Sequence, residues 1–433
     1  MDPRPRQGVA PLGPEDTVGL PPGVEARLAE IGAVDVLIGI PSFNNARTIG
    51  HVVRAAAAGL AKHFPRARSV IVNSDGGSKD GTAEAVAAAE FVAPATILVS
   101  HPLSAVHRIV TPYDGVPGKG SAFRTIFAIA DRLEAKACAV LDADLRSITP
   151  GWIELLAGPV LHEGFDFVAP LYLRHKYDGT ITNSIVYPLT RALYGREVRQ
   201  PIGGDFGFSG RLARHYLTKP VWESNVARFG VDIWMTSTAI ADGFKVCQAF
   251  LGAKLHDAKD PGADLAAMFV QVVSSVFDLM GTNRERWAAV RAAEDVPLYG
   301  FPHGVGLEPV NVNVERMLGI FRQGARDLRE IWQRGLAEDT LAEVEAVAAS
   351  QDRPFHFRDP LWVRVVYDFA VAYDRRVLPA EQLLASMVPL YLGRTASFVL
   401  QTAESGPDEV EVAVKGLADE FLRQKDYLLR RWG

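Results

Sequence analysis

Between about residues 34 and 250, short uninterrupted apolar runs alternate with longer stretches in which apolar residues return at helical spacing. Strands buried on both faces read as continuous apolar runs, and the helices that cover them read as amphipathic periods. The pattern predicts strands over 34–40, 70–73, 95–100, 137–141, 165–171 and 246–252, with helices over 47–63, 82–90, 121–132, 152–161 and 233–241. Beyond residue 263 the strand signal fades and long helical stretches remain, at 313–334, 380–400 and 410–429. The expected architecture is α/β, a mostly parallel sheet flanked by helices, followed by a helical carboxyl-terminal region. Pro3, Pro5, Pro11, Pro14, Pro21 and Pro22 crowd the start, so 1–23 is expected to be a flexible segment, 24–275 the sheet domain and 276–433 the helical region.

In open parallel sheets ligands bind beyond the carboxyl ends of the strands. The polar residues follow strand ends here: Pro41, Ser42 and Asn44, then Asp75, then Asp142 and Asp144. Asp142 and Asp144 end an apolar strand two positions apart, a spacing that turns both carboxylates to one side. Hard oxygen ligands of this kind suit Mg²⁺ or Mn²⁺, and His256, after the run at 246–252, is a candidate partner ligand. The same Asp triplet also serves as a solvated turn or helix cap. Gly118, Lys119 and Gly120 precede a helix, where backbone amides and one ammonium can face an anion. Asp75 sits at a strand tip from which it can reach a base or ribose, while Thr82, or Ser78 with Asp80, can cap the next helix.

Bulk properties narrow the partners. With 48% apolar and 22% charged residues the chain is a folded protein, and its formal charge of −5 offers no general attraction to nucleic acid or anionic membrane. An anionic substrate must therefore meet a local cationic cluster. Cys138 and Cys247 lie in apolar runs without metal-binding spacing, which suits buried thiols in a reducing cytoplasm. No basic stretch followed by an apolar one opens the chain, and neither a secretory leader nor a membrane span is expected.

The segments Ile40 to Asn44, Pro117 to Gly120, Asp142 to Asp144, Gln200 to Phe208, Phe229 to Ile233 and Leu251 to His256 together resemble the glucosyl-3-phosphoglycerate synthase and glucosylglycerate synthase family. That resemblance spans roughly residues 34–275 and implies the glycosyltransferase A fold, a nucleoside-diphosphate sugar donor such as UDP-glucose or GDP-glucose, a Mg²⁺ or Mn²⁺ cofactor and retention at the anomeric carbon. It implies that Pro41, Ser42, Phe43, Asn45 and Asp75 cradle the nucleoside, that Lys119 faces the diphosphate or sugar, and that Asp144 and His256 hold the metal with Asp142 supporting ribose or metal. Gly203 and Gly204 would let the backbone approach the donor sugar, with Asp205 accepting from its hydroxyls. Asp232 would stand at the acceptor hydroxyl, where the family has Glu, and Asn45 replaces a Glu on the uracil side.

Gly179, Thr180 and Thr182 match the acceptor loop, with Thr180 where the phosphoglycerate-using relatives carry Arg. A hydroxyl replaces a bidentate guanidinium poorly against phosphate, so a small unphosphorylated hydroxy acid such as glycerate is the expected acceptor, although Arg174, His175 and Lys176 stand nearby in sequence. A nucleotidyltransferase is the rival enzyme class; it would carry a glycine-rich basic loop where Ser42, Phe43, Asn44 and Asn45 stand. A noncatalytic nucleotide-sugar-binding protein and a transferase to a lipid-linked or glycan acceptor are two further rivals. The carboxyl-terminal helices, with Trp332, Trp362, Tyr367, Tyr373 and Phe398, are expected to serve core packing or homo-oligomer contacts.

Overall fold

The structure, a computed structural model, describes residues 18–89, 106–112, 118–255, 265–302, 304, 310, 312–352 and 354–433. The strand predicted at 95–100 and the ligand candidate His256 lie outside the described residues, as do 1–17 of the expected flexible segment. The chain divides into two compact units that interleave in sequence: Met1–Tyr172, Gly203–Asp257 and Pro297–Gly304 form the first, and Leu173–Ile202, Ala258–Val296 and Val305–Gly433 the second.

The first unit is built on an eight-stranded sheet. Its strands are β1 (Val36–Ser42), β2 (Ser69–Asp75), β3 (Val106–Pro112), β4 (Ala137–Val140), β5 (Phe167–Leu173), β6 (Phe206–Ser209), β7 (Val246–Ala253) and β8 (Leu298–Tyr299), in the spatial order β8-β7-β5-β6-β4-β1-β2-β3. β1 runs parallel to both β2 and β4, β2 to β3, and β7 to β8, whereas β6 pairs antiparallel with β4 and β5. The sheet is thus mostly parallel and flanked by helices, as its sequence pattern requires. β3 and the short β6 and β8 are additions to the predicted set.

Helix α1 (Pro22–Ile31) opens with proline at its first position, where a missing N–H costs nothing. α2 (Ile49–His63) buries Ile49, Val52, Val53, Ala56, Ala57 and Leu60, one helical face, and packs on α5 (Gly151–Glu163), which buries Trp152, Ile153, Leu156 and Val160. The two approach closely at Gly59, where a Cβ would come within 2.4 Å of Ile153. α3 is Thr82–Ala88, and α4 (Lys119–Arg132) lies over β1, its Ile126 filling the space beside Gly39. Cys138 and Cys247 are buried and unpaired.

The second unit is mainly helical: Tyr187–Tyr194, Leu265–Thr282, Arg284–Ala288, Val314–Asp327, Arg329–Gly335, Glu338–Ala349, Asp359–Asp374, Ala380–Gln401, Pro407–Arg423 and Lys425–Trp432, with one π turn at Thr182–Val186 and a two-stranded ribbon of Arg196–Glu197 and Glu294–Asp295. The helical carboxyl-terminal region is therefore as expected, and Trp332, Trp362 and Tyr367 are wholly buried in it. Ala380–Gln401 is long and apolar enough to cross a membrane by length and composition, and 72% of its apolar window is buried inside the protein. At its centre Gly393 leaves room for Phe321, and Arg394 is buried with Asp359 at 2.6 Å. Two buried polar centres tie the last helices down. Asp368 accepts from the Ala337 amide, the Tyr427 hydroxyl and Arg431 Nε at 2.8, 2.7 and 2.9 Å. Lys425 donates to the carbonyls of Ala192 and Val290 at 2.8 and 2.9 Å.

Candidate active site

The carboxyl ends of β1 and β2 form one rim. Asn73 Nδ2 donates to the Ile40 carbonyl and to Ser42 Oγ, at 2.9 and 2.8 Å, and Ser42 Oγ donates to Asp75 Oδ1 at 2.8 Å. Asp75 also accepts the Gly77 and Ser78 amides and the Ser78 hydroxyl, so its carboxylate organises the turn after β2. The loop after β1 is held by side chains at its first four amides: Phe43 N–H to Asn45 Oδ1, Asn44 N–H to Ser78 Oγ, Asn45 N–H to Thr82 Oγ1 and Ala46 N–H to Asp80 Oδ2, between 2.8 and 3.0 Å. Phe43 is 61% exposed above this frame, a large apolar ring held out from a rigid loop. Pro41, Ser42, Phe43, Asn45 and Asp75 are therefore brought together at one edge.

Next to it lies a chain of charges. Lys119 Nζ is 2.7 Å from Asp142 Oδ1 and 3.2 Å from Asp232 Oδ1. Lys254 Nζ is 2.7 Å from Asp142 Oδ2, 2.8 Å from Asp205 Oδ2 and 2.7 Å from the Gly203 carbonyl. Asp205 is completely buried; its Oδ1 accepts the Asp142 amide at 2.8 Å and its Oδ2 also accepts the Tyr172 hydroxyl. Three carboxylates thus alternate with two ammonium groups. Burial works against charge on Asp142, but the two lysines outweigh it and hold that carboxyl well below the usual range. Burial works against Lys119 as well, and Asp142 and Asp232 overcome it and keep the ammonium charged. For Asp205 and Asp232 burial prevails and raises both, against the pull of their lysines.

Local sequence explains the placement. Gly118 and Gly120 flank Lys119 because α4 begins against the backbone of a π turn at Val226–Gly230: a Cβ would lie 2.5 Å from the Ala227 carbonyl oxygen at Gly118 and 2.0 Å from the Val226 carbonyl oxygen at Gly120. The helix Val231–Ala241 follows that turn directly and carries Asp232 in its first turn. Gly204 has φ +89°, and a Cβ there would stand 2.2 Å from Asp142 Oδ2 and 2.9 Å from Lys254 Nζ. These glycines are required by close approach, whatever they do for a ligand.

Asp144 differs from Asp142. It is half-buried in the turn after β4, and among the described residues its carboxylate has no hydrogen-bond or ion-pair partner. The turn is anchored by Thr48 Oγ1 on the Ala143 carbonyl at 2.8 Å. Leu255 is tied to the same loop, through the Arg146 amide and the Ser147 hydroxyl, each at 2.9 Å. No group of three His, Cys, Asp or Glu side chains converges as a metal set among the described residues. The donor set available there to a hard cation is the unengaged Asp144 carboxylate, since both Asp142 oxygens meet ammonium groups.

The candidate acceptor loop belongs to the second unit. Gly179 takes φ +69°, Thr180 Oγ1 pairs with the Tyr391 hydroxyl, and the Thr180 carbonyl accepts Ser184 Oγ at 2.7 Å. Thr182 begins the π turn that leads into Tyr187–Tyr194. Of the neighbouring basic residues, Lys176 is committed to the carbonyls of Thr402, Ala403 and Ser405 at 2.7 to 3.1 Å, and Arg174 lies 3.7 Å from Asp178.

Sequence reasoning missed Lys254 and Tyr172. A lysine at the end of an otherwise apolar strand, two residues beyond Gly252, was the available signal for the first; a tyrosine within an apolar strand carries none for the second.

No protein-family model matches the chain, and no curated protein matches it. Among solved structures it is similar to glucosyl-3-phosphoglycerate synthase from Mycobacterium tuberculosis. In its complex with Mn²⁺, UDP and glucosyl-3-phosphoglycerate, identity is 22% over 61% of this chain and 87% of that one, with a TM-score of 0.43. The complex of that enzyme with Mn²⁺, UDP and phosphoglyceric acid shares 23% identity over 61% and 84%, TM-score 0.43. The complex with Mn²⁺, UDP-glucose and phosphoglyceric acid shares 20% over 61% and 85%, TM-score 0.39.

Proposed function

We propose that this chain is a retaining, divalent-metal-dependent hexosyltransferase that moves glucose from UDP-glucose or GDP-glucose to a small hydroxy acid, with glycerate preferred over 3-phosphoglycerate. The observation that carries the reading is the presence, around these strand ends, of an ammonium with donor capacity left over, Lys119 at the start of α4, and of a carboxylate without a partner among the described residues, Asp144. A nucleoside diphosphate asks for both, a cation on its oxygens and an anchor for a hard metal.

In this reading Pro41, Ser42, Phe43, Asn45 and Asp75 receive the nucleoside, with the Phe43 ring offered to the base. Asp144 and His256 would hold Mg²⁺ or Mn²⁺, with Asp142 beside them, and the metal would neutralise charge on the departing diphosphate. Lys119, held by Asp142 and Asp232, would offer its remaining N–H to the diphosphate. Gly203 and Gly204 allow backbone approach to the sugar; Asp205, expected from the sequence to accept from the sugar hydroxyls, is instead wholly buried with both oxygens engaged and fixes the floor beneath them. Asp232 orients the acceptor hydroxyl. The hydroxyl oxygen forms a bond to the anomeric carbon as the carbon–oxygen bond to phosphate breaks; the electron pair and the hydroxyl proton leave with the diphosphate. Catalysis of this kind is positional and electrostatic.

Gly179, Thr180 and Thr182 are assigned to the acceptor. Hydroxyls there suit a carboxylate or alcohol, and Lys176 is already occupied by three carbonyls, which supports the preference for an unphosphorylated acid. The helical unit is assigned to homo-oligomer contacts, and two unpaired buried cysteines support a cytoplasmic setting, with neither nucleic acid nor membrane as partner.

Product formation from UDP- and GDP-sugars with glycerate or 3-phosphoglycerate, in Mg²⁺ or Mn²⁺, tests the proposal. Transfer to glycerate that falls about a hundredfold or more in Asp144→Ala is expected, the scale of losing a directly engaged metal ligand. Equal rates with both acceptors would remove the glycerate preference, and no transfer to either would remove the assigned reaction.

A further inference from the structure

We propose that Lys254 is a positioning residue of this site: it locks Asp142 and Asp205 and, through Asp142, sets where the Lys119 ammonium stands. The inference rests on the reading of Lys119 as the cation that meets a diphosphate.

The two lysines share Asp142 but are built differently. An ammonium has three N–H donors. Those of Lys254 are matched by Asp142 Oδ2, Asp205 Oδ2 and the Gly203 carbonyl, all within 2.8 Å, and its side chain is 4% exposed. Nothing is left to offer a ligand. Lys119 has one short contact, at 2.7 Å to Asp142, a looser one to Asp232, and 21% exposure. The ammonium that can address an anion is therefore Lys119, and the buried one acts behind it.

Asp142 transmits the effect. Its Oδ2 faces Lys254 and its Oδ1 faces Lys119, so a rotation that loosens one contact moves the other. Lys254 prevents that rotation from below, while Asp205, anchored by Tyr172, holds the Asp142 amide. Lys254 also grips the carbonyl of Gly203 and so ties the Gly203–Gly204 turn, the backbone proposed to approach the sugar, to the same point. The absence of a side chain at Gly204 is what lets the Lys254–Asp142 pair form.

The test is a double-mutant cycle on binding of UDP and GDP in Mn²⁺ by calorimetry, using the full chain with Lys119→Met, Lys254→Met and both together. Each single change is expected to weaken binding about tenfold, and the double variant to bind within about twofold of Lys119→Met, since contacting groups couple whereas independent ones add. Additive losses would show that Lys254 touches the nucleotide itself, and native affinity in Lys254→Met would show that Lys119 needs no support; either overturns the proposal. If Lys254→Met does not fold, Lys254→Arg takes its place: a loss that vanishes in the Lys119→Met background supports the role, and one that persists refutes it. If the native protein binds neither nucleotide, the reading of the site fails separately. Crystal structures then decide the positioning role: Lys119 displaced from Asp142 in the Lys254 variant supports it, and an unchanged contact overturns it.

Discussion

Replacing Gly204 by alanine should be among the most damaging single-methyl changes in the first unit. Two costs combine. At φ +89° an L-residue is strained by about 1–2 kcal/mol. The new Cβ would also stand 2.2 Å from Asp142 Oδ2 and 2.9 Å from Lys254 Nζ, so the buried ion pair must open. Separating a buried pair costs about 3–5 kcal/mol, which brings the total to about 4–7 kcal/mol before relaxation. Gly77 supplies the internal control: its φ is +82°, yet nothing lies within 4 Å of the position its Cβ would take, so Gly77→Ala carries the backbone strain alone. Urea unfolding followed by circular dichroism should place Gly204→Ala about 3 kcal/mol below Gly77→Ala, the share due to the broken pair. A difference under about 1 kcal/mol would mean that Asp142 and Lys254 step aside freely, and the account of a locked charge chain would be wrong.

Two further predictions concern the second unit. Burial, helped by Arg291, depresses the Lys425 amine to about 7, so between pH 7 and the ordinary lysine range the unfolded chain holds more protons and stability rises with pH; from pH 7 to 9 the native protein should gain about 2 kcal/mol relative to Lys425→Met, measured by urea unfolding at each pH, and a flat difference would refute it. Asp368→Ala should cost about 3 kcal/mol by the same measurement, because it strips a buried amide, the Tyr427 hydroxyl and Arg431 of their shared acceptor; a loss below about 1 kcal/mol would show that water replaces the carboxylate.

Regular hydrophobic periods made most of the fold legible. The helix at Ile49–His63 and the strand at Val246–Ala253 differ from their predicted spans by a residue or two, since burial on a repeating face is written in the local sequence. β6 was not, because Phe206–Ser209 is short, contains Gly207 and owes its existence to antiparallel partners on both sides. The assignment of Leu173–Ile202 to the helical unit is likewise a matter of contacts far apart in the chain. At the site, Lys119, Asp142, Asp205 and Asp232 were singled out as separate signals and the structure joins them. Lys254 and Tyr172, which do the joining, look like ordinary strand residues, and only their three-dimensional partners give them a role.

The loop after β1 has a thermodynamic consequence. Amides 43 to 46 each meet a fixed side-chain acceptor, three of them from the neighbouring loop, so these residues have lost their freedom during folding, at about 1–2 kcal/mol per residue. A ligand arriving at this rim has no such ordering to impose. Its association should proceed as a single bimolecular step without a slow closing phase, and the heat capacity change on binding should track the surface covered rather than additional folding.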